Sequence, residues 1–534
     1  GETVFTLVDR MTGQTRDELG VPVALNVETP KPVADVTTNS LDAYRHYVEG
    51  LDNNFKLYYA DAAEDFRRAI EIDSTFAMAY FHYAMASTRT NNVAGALAAI
   101  QHAARFIDRV SEKERLYIEA MRAAFAFHQQ DALTKLIEIT KRYPGEKEAF
   151  FMLGTMYYAT GDNEKAIEAY HGVLSLDPLH KPTYNQLAYA YESEGNFEKS
   201  IWAINQYIEL SPGEANPYDT QGDLYAFNGD IDKAIDSYRK ALEVKPDFIP
   251  SREKLGDMFI FKGRYEEATA QYTELTASDQ PGVRSKGRLC LANIDIYRGR
   301  LRDGLKVLET GLAADEMEGF HGDAYLNKLG VRLGTYVELG ECERAAGGVG
   351  DLSALLKKTF PMLAMVYDLV AAAGAAECGR PEVADSIFAR VEPQVDSLDR
   401  NTLTAYHKTK GFVLLKGGDP GSAARHLEIA DSLGPNQFST RYYLAKAYLE
   451  AGRAEDAVSL LETALNRYDP SRLDDPLVAG KAVYLLGTAY EKVGAAGKAA
   501  EQYRSILDRW KNADPEVDEV SEARERLARL GAGG

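Results

Sequence analysis

Cysteine is scarce. The chain has three, Cys290, Cys342 and Cys378, an odd number with no CxxC pair. A disulfide framework and a structural zinc site are therefore not expected, and the three read as buried free thiols that leave the compartment open. Proline is also sparse, at 19 of 534 residues, and 45% of the chain is hydrophobic, a balance that excludes a disordered polymer. No apolar run reaches the roughly 18 residues that would span a membrane. Positive charge is in deficit. Sixty-one Lys and Arg face 81 Asp and Glu, a net charge of -20. Nucleic acid or an anionic membrane would meet long-range repulsion, so neither is expected as a partner. The chain begins at Gly1 without Met, and a removed leader or upstream region is expected.

What is abundant is tyrosine, 32 residues, and it is spaced. The stretch 150–178 sets Phe150 before Leu153, Gly154 and Tyr157, then Ala166, Tyr170 and Pro178. A shift of 34 residues finds Tyr184, Leu187, Ala188, Tyr191, Ser200, Ile204 and Pro212. Another finds Tyr218, Gly222, Tyr225, Ala234, Tyr238 and Pro246, and a third Leu255, Gly256, Phe259, Ala268 and Tyr272. The small residue at the eighth place of each unit can be followed through Gly50, Ala84, Ala120, Gly154, Ala188, Gly222, Gly256, Ala292, Leu333, Ala372, Gly411, Ala445 and Gly487. The spacing is irregular over about 293–410. Within each half-unit apolar residues recur at three and four, the face of a helix. Glycine in "TGD", "EGN", "NGD" and "KGR" would end the first helix, and Pro178, Pro212 and Pro246 follow the second. Gly154 and Ala166 are expected to let the paired axes approach, with Tyr157 and Tyr170 filling space against the next unit.

This pattern resembles the tetratricopeptide repeat, whose W-x2-L-G-x2-Y, A-x3-F and P signature is met with aromatic substitutions. The resemblance implies an all-α, right-handed superhelix of about thirteen helix-turn-helix units over residues 41–512, held by nearest-neighbour contacts. Residues 1–40 read as an amphipathic helix carrying Val4, Phe5, Val8, Met11 and Leu19, then a linker with Pro22, Pro30 and Pro32. Residues 513–534 read as a capping helix and tail. The opening "TTNSLDAYRHYVEG" and "SEKERLYIEA" at 111–120 are similar to bacterial proteins in which a TolB-like domain or a serine/threonine kinase precedes the repeats. That similarity implies a bacterial chain, periplasmic or at the cell surface before cytoplasmic, whose first helix is the remnant of an upstream domain.

No catalytic residue, metal ligand or cofactor motif is found. Nine histidines are scattered without ligand spacing. Gly347, Gly348 and Gly350 in "GGVGD" lack a following GK[ST] and read as loop. An interaction surface remains. By the resemblance, the first helix of each unit lines a concave groove, which would present Phe81, Met85, Tyr117, Met121, Phe151 and Tyr158 early. Asn185, Tyr189, Asn216, Asp219, Asp223, Glu253 and Asp257 would follow, and Lys408, Lys446 and Tyr484 late. The central acids would repel a peptide carboxylate of the kind that some family members clamp. The expected partner is a basic or amphipathic protein segment, weakened by Asp219→Lys with Asp223→Lys without loss of stability. Head-to-tail assembly into homo-oligomers or filaments is the alternative.

Overall fold

The computed structural model describes residues 5–8, 10–11, 14, 37–90, 92–126, 128–359, 364–397 and 400–532. These are predominantly helical, with no strand among them. Thirteen helix pairs follow one another among the described residues, from Leu41–Phe55 with Tyr59–Ile72 to Pro476–Lys492 with Ala496–Arg509. A last helix, Asp518–Ala532, follows them. The expected all-α solenoid is what the sequence builds. The chain divides into two compact units, residues 1–220 and 221–534.

Local sequence explains the boundaries. Helix Lys147–Thr160 stops because Gly161 takes a left-handed backbone, φ 80°, a conformation closed to most side chains. Asp162 then accepts the Lys165 amide and opens helix Asn163–Leu176. Asn196 does the same for Phe197–Leu210. Ser111 and Glu114 form a reciprocal capping box on helix Glu112–Phe125. The irregular spacing over 293–410 has a simple cause: the helices there are longer. Pro281–Tyr297 and Leu301–Met317 have 17 residues each, and Cys342–Thr359 has 18, against 12 to 15 in the pairs from Leu41–Phe55 to Tyr265–Thr276. Gly347, Gly348 and Gly350, expected in a loop, lie inside Cys342–Thr359. Cys342 and Cys378 were expected to be free. They form a disulfide with Cα atoms 5.6 Å apart, which joins the start of that helix to the end of Ala364–Glu377. Cys290 is free and buried.

The small residues work inside a pair. A Cβ placed on Gly154 would stand 2.6 Å from Tyr170 Cε1, and one on Gly222 would stand 2.5 Å from Tyr238 Cε1. Tyr170 thus covers the glycine of its own unit.

Each unit also makes contacts beyond nearest neighbours. In the first, the Ala215 amide donates to Tyr58 Oη at 3.3 Å, and the rings of Phe55 and His180 meet edge to face at 5.4 Å. In the second, the Trp510 indole donates to the Tyr297 carbonyl at 2.8 Å and Asn293 Nδ2 to the Leu473 carbonyl at 3.0 Å. One buried core there joins residues as distant as Ala226 and Ala523. The expectation of neighbour-only contacts is corrected by these pairs. They follow from the inward-facing side chains being large enough to meet across the interior.

Of the amino-terminal expectation, Phe5 is buried and packs on Tyr44 at 5.7 Å, whereas Leu7, Val8 and Met11 are exposed. Val4, Leu19 and the proline linker lie outside the described residues. Helix Asp518–Ala532 lies on the final pair, with Val517 and Ala523 buried and Arg526 bonded to Glu491 at 2.9 Å.

Candidate functional site

The inward positions fall into two groups when the side chains are placed. In the first unit Phe81 and Tyr117 are buried, their rings 6.2 Å apart. They share the interior with His82, which rings of Tyr47, Phe66 and Phe81 surround; burial pushes its pKa down to about 4. Asn185 is buried and accepts from Asn216 Nδ2 at 3.1 Å and Thr220 Oγ1 at 2.8 Å. Asp219 is buried as well. Phe151 is half-buried, edge-on to His180 at 5.4 Å. Met85, Met121, Tyr158 and Tyr189 keep part of their surface in solvent. The two tyrosines reach the following repeat, Tyr158 to Ser193 Oγ at 3.3 Å and Tyr189 to Thr220 Oγ1 at 3.4 Å.

In the second unit the acids are engaged by the protein itself. Asp223 is buried and accepts from the Tyr238 hydroxyl at 2.8 Å and from Lys254 Nζ at 2.7 Å. Reversing it to Lys would strand both donors, so the expected neutrality of that change is corrected. Glu253 pairs with Lys286 at 2.9 Å. Asp257 accepts from the Tyr272 hydroxyl at 2.5 Å, and its burial raises the carboxyl pKa. Tyr484 donates to Glu522 and accepts from Arg526 Nε at 3.0 Å. Lys408 donates to Ser439 Oγ at 2.7 Å, and desolvation lowers its pKa. Lys446 is half-buried and has no hydrogen bond or ion pair among the described residues.

Two cavities open into this interior. The smaller, about 180 Å³, is lined by Glu253, Asp257, Lys286, Cys290, Asn293 and Asp474 among others. Burial raises the Cys290 thiol, so it is held protonated and is a poor nucleophile. The larger, about 640 Å³, is walled on one side by small residues of the long helices: Gly330, Gly334, Ala345, Ala346, Gly350, Ala371 and Gly374. Phe412, Tyr442, Tyr443, Lys446, Asp474, Asp475 and Val478 also line it. Lys416 at its edge is paired with Glu377 at 2.8 Å, and Lys481 with Glu519 at 2.8 Å and with Glu338. Sequence reasoning found Lys446 and missed Tyr442 and Tyr443. Their signal was available in "YYLAK", which puts both phenols on the lysine's face of one helix at i,i+4 and i,i+3.

One cluster among the described residues offers metal-ligand atoms, His46, Glu49 and Asp65. It is open to solvent, and Asn53 already donates to Asp65 at 2.8 Å, so it makes a poor cation site. No described helix is long and apolar enough to cross a membrane.

Tetratricopeptide-repeat family models match residues 130–181, 182–214, 215–248 and 414–478. Among solved structures, a crystal structure of MamA is 25% identical over 30% of this chain and 88% of its own, with a TM-score of 0.26. MamA 41-end from Desulfovibrio magneticus RS-1 is 20% identical over 31% and 93%, with a TM-score of 0.27. A crystal structure of YrrB, described as a TPR protein with an unusual peptide-binding site, is 21% identical over 35% and 96%, with a TM-score of 0.24. No curated protein matches the chain. The 34-residue period, the glycine-and-ring seam inside the helix pairs, and the matched repeats show that this chain carries tetratricopeptide repeats.

Proposed function

We propose that the chain is a non-enzymatic scaffold whose first unit holds the apolar face of an amphipathic partner segment. Tetratricopeptide-repeat proteins generally mediate protein–protein interactions. The observation that carries this reading is the half-exposed set Met85, Met121, Tyr158 and Tyr189. All four stand at the positions of successive repeats that the family resemblance assigns to the inner face. Thioether and phenol side chains adapt to varied apolar contours while keeping polar atoms for the rim. An amphipathic segment suits such a strip better than a strongly acidic or basic one, because the charged inward groups of both units are largely paired within the protein.

A photo-crosslinking residue at Tyr158 or Tyr189, in cells that express the chain, tests it. A discrete adduct is expected from both positions and not from exposed Trp202, and Met85→Glu with Met121→Glu should remove it with circular dichroism unchanged. The same adducts from Trp202, or none from Tyr158 and Tyr189, would overturn the assignment. An adduct of twice the chain's mass would give the surface to self-assembly.

A further inference from the structure

The larger cavity of the second unit has features that packing alone does not explain. Glycine inside a helix costs about 1 kcal/mol relative to alanine, yet Gly330, Gly334, Gly350 and Gly374 all sit in helix interiors facing this space. Three polar side chains lining the cavity make no hydrogen bond or ion pair among the described residues. Tyr442 is more than nine-tenths buried, at 7% exposure, and its hydroxyl makes no hydrogen bond among the described residues. The neighbouring Tyr443 hydroxyl and the Lys446 ammonium make none either. All three project from helix Phe438–Glu450, with Lys446 four residues after Tyr442 and three after Tyr443. Tyr443 and Lys446 are half-buried, and polar groups that line a cavity in this way are free to bond a ligand that enters it. Desolvation raises the pKa of both phenols, so they remain donors, and it lowers that of Lys446, helped by the like charge of Lys416.

Two hydroxyl donors and an ammonium on one helical face match the acceptor oxygens of a carboxylate. Of the carboxylates lining the cavity, Glu377 is paired with Lys416, Glu338 and Glu519 with Lys481, and Asp475 accepts from the Val478 amide at 3.2 Å. Arg380, Asp474 and Asp475 also line the cavity beside its apolar residues, and the volume lies within the usual range of small-ligand sites, roughly 300–1,000 Å³. We propose that this cavity binds an aliphatic carboxylate, with its chain along the Gly/Ala wall and its head on Tyr442, Tyr443 and Lys446. The site is separate from the proposed partner strip of the first unit.

The test is calorimetric titration of the full chain with decanoate, decanol, decylamine and acetate. Decanoate should bind, acetate should not, and decanol and decylamine should bind at least about tenfold more weakly, since a charge-assisted pair inside a cavity is among the strong hydrogen bonds. Lys446→Met and the double variant Tyr442→Phe with Tyr443→Phe should each weaken decanoate about tenfold or more. Both remove a polar group while keeping the volume, so their melting should match the parent. As a second reading independent of those variants, Ala371→Phe should fill the space and abolish binding. The proposal is overturned if the folded chain takes up no decanoate, if decylamine binds as well as decanoate, or if the Lys446 and tyrosine variants bind it unchanged. It is also overturned if only a peptide with an apolar carboxyl-terminal residue binds.

Discussion

At the scale of single residues, the pairing of the eighth position of each unit with the residue sixteen later follows a rule of conserved volume. Gly50, Gly154, Gly222, Gly256 and Gly487 are followed by Phe66, Tyr170, Tyr238, Tyr272 and Tyr503. Ala84, Ala120, Ala188, Ala292 and Ala445 are followed by Ile100, Leu136, Ile204, Leu308 and Leu461. A ring lies flat where the Cβ is missing, and a branched aliphatic chain fits where one methyl is present. Only Gly411 with Leu427 and Ala372 with Phe388 mix the two classes, and Leu333 with Val349 lies outside both. Gly154→Ala should therefore overpack the seam and destabilise by about 1–3 kcal/mol. Adding Tyr170→Leu should recover much of that loss, because the pair then matches the Ala120 and Leu136 arrangement. Thermal melting of the two single variants and the double reads the coupling directly. Additive losses would mean that the volumes are not exchanged between these two positions.

At the scale of helices, sequence was a good guide wherever the 34-residue period held and a poor one for what faces inward. The left-handed glycines at 161, 195, 229 and 263 and the caps at Asp162 and Asn196 were legible because each acts through its own backbone or within three residues. The fate of Asp223 was not, since Tyr238 and Lys254, 15 and 31 positions away, decide whether it faces a partner or the protein. The disulfide was missed for the same reason. Cys342 and Cys378 come together only because the longer helices of that region place one helix start beside another's end. A buried polar cluster in the long helices shows the principle in energetic terms. Lys328 and Asp315 are both fully buried and paired at 2.7 Å. Lys328 also donates to the Ser285 carbonyl at 2.7 Å, and Arg288 donates to Asp315 at 2.7 Å. Asp315→Ala would leave Lys328 buried with only neutral acceptors, whereas Lys328→Met leaves Asp315 with Arg288 and Ser285. The first should cost about 3–5 kcal/mol and the second less, measured as the drop in melting temperature. Equal losses would show that the lysine's charge is relieved by some other route.

At the scale of the whole molecule, the two compact units each carry one tryptophan, Trp202 in the first at 45% exposure and Trp510 in the second at 0%. In an open solenoid a change at one repeat is felt by its neighbours and fades along the stack. The second unit is built otherwise. Trp510 donates to the Tyr297 carbonyl, the Asp514 amide donates to Gly299, and the Tyr468 amide donates to Ala226, which ties late repeats to middle ones more than 200 residues earlier in the chain. Gly480 makes room for the indole, since a Cβ there would stand 2.6 Å from Trp510 Cζ2. Trp510→Ala should therefore cost about 3–5 kcal/mol, the usual range for a buried aromatic. Its reach is the sharper reading. Amide hydrogen exchange should quicken both in Ala496–Arg509, beside the substitution, and in Pro281–Tyr297, which is remote in sequence. A loss of protection confined to the last two repeats would show that the closing bonds add nothing to the stability of the middle ones. In the Trp202→Phe background, Trp510 becomes the sole indole. Its emission should then shift to the red in the same transition that releases protection at Pro281–Tyr297, because one buried core holds both.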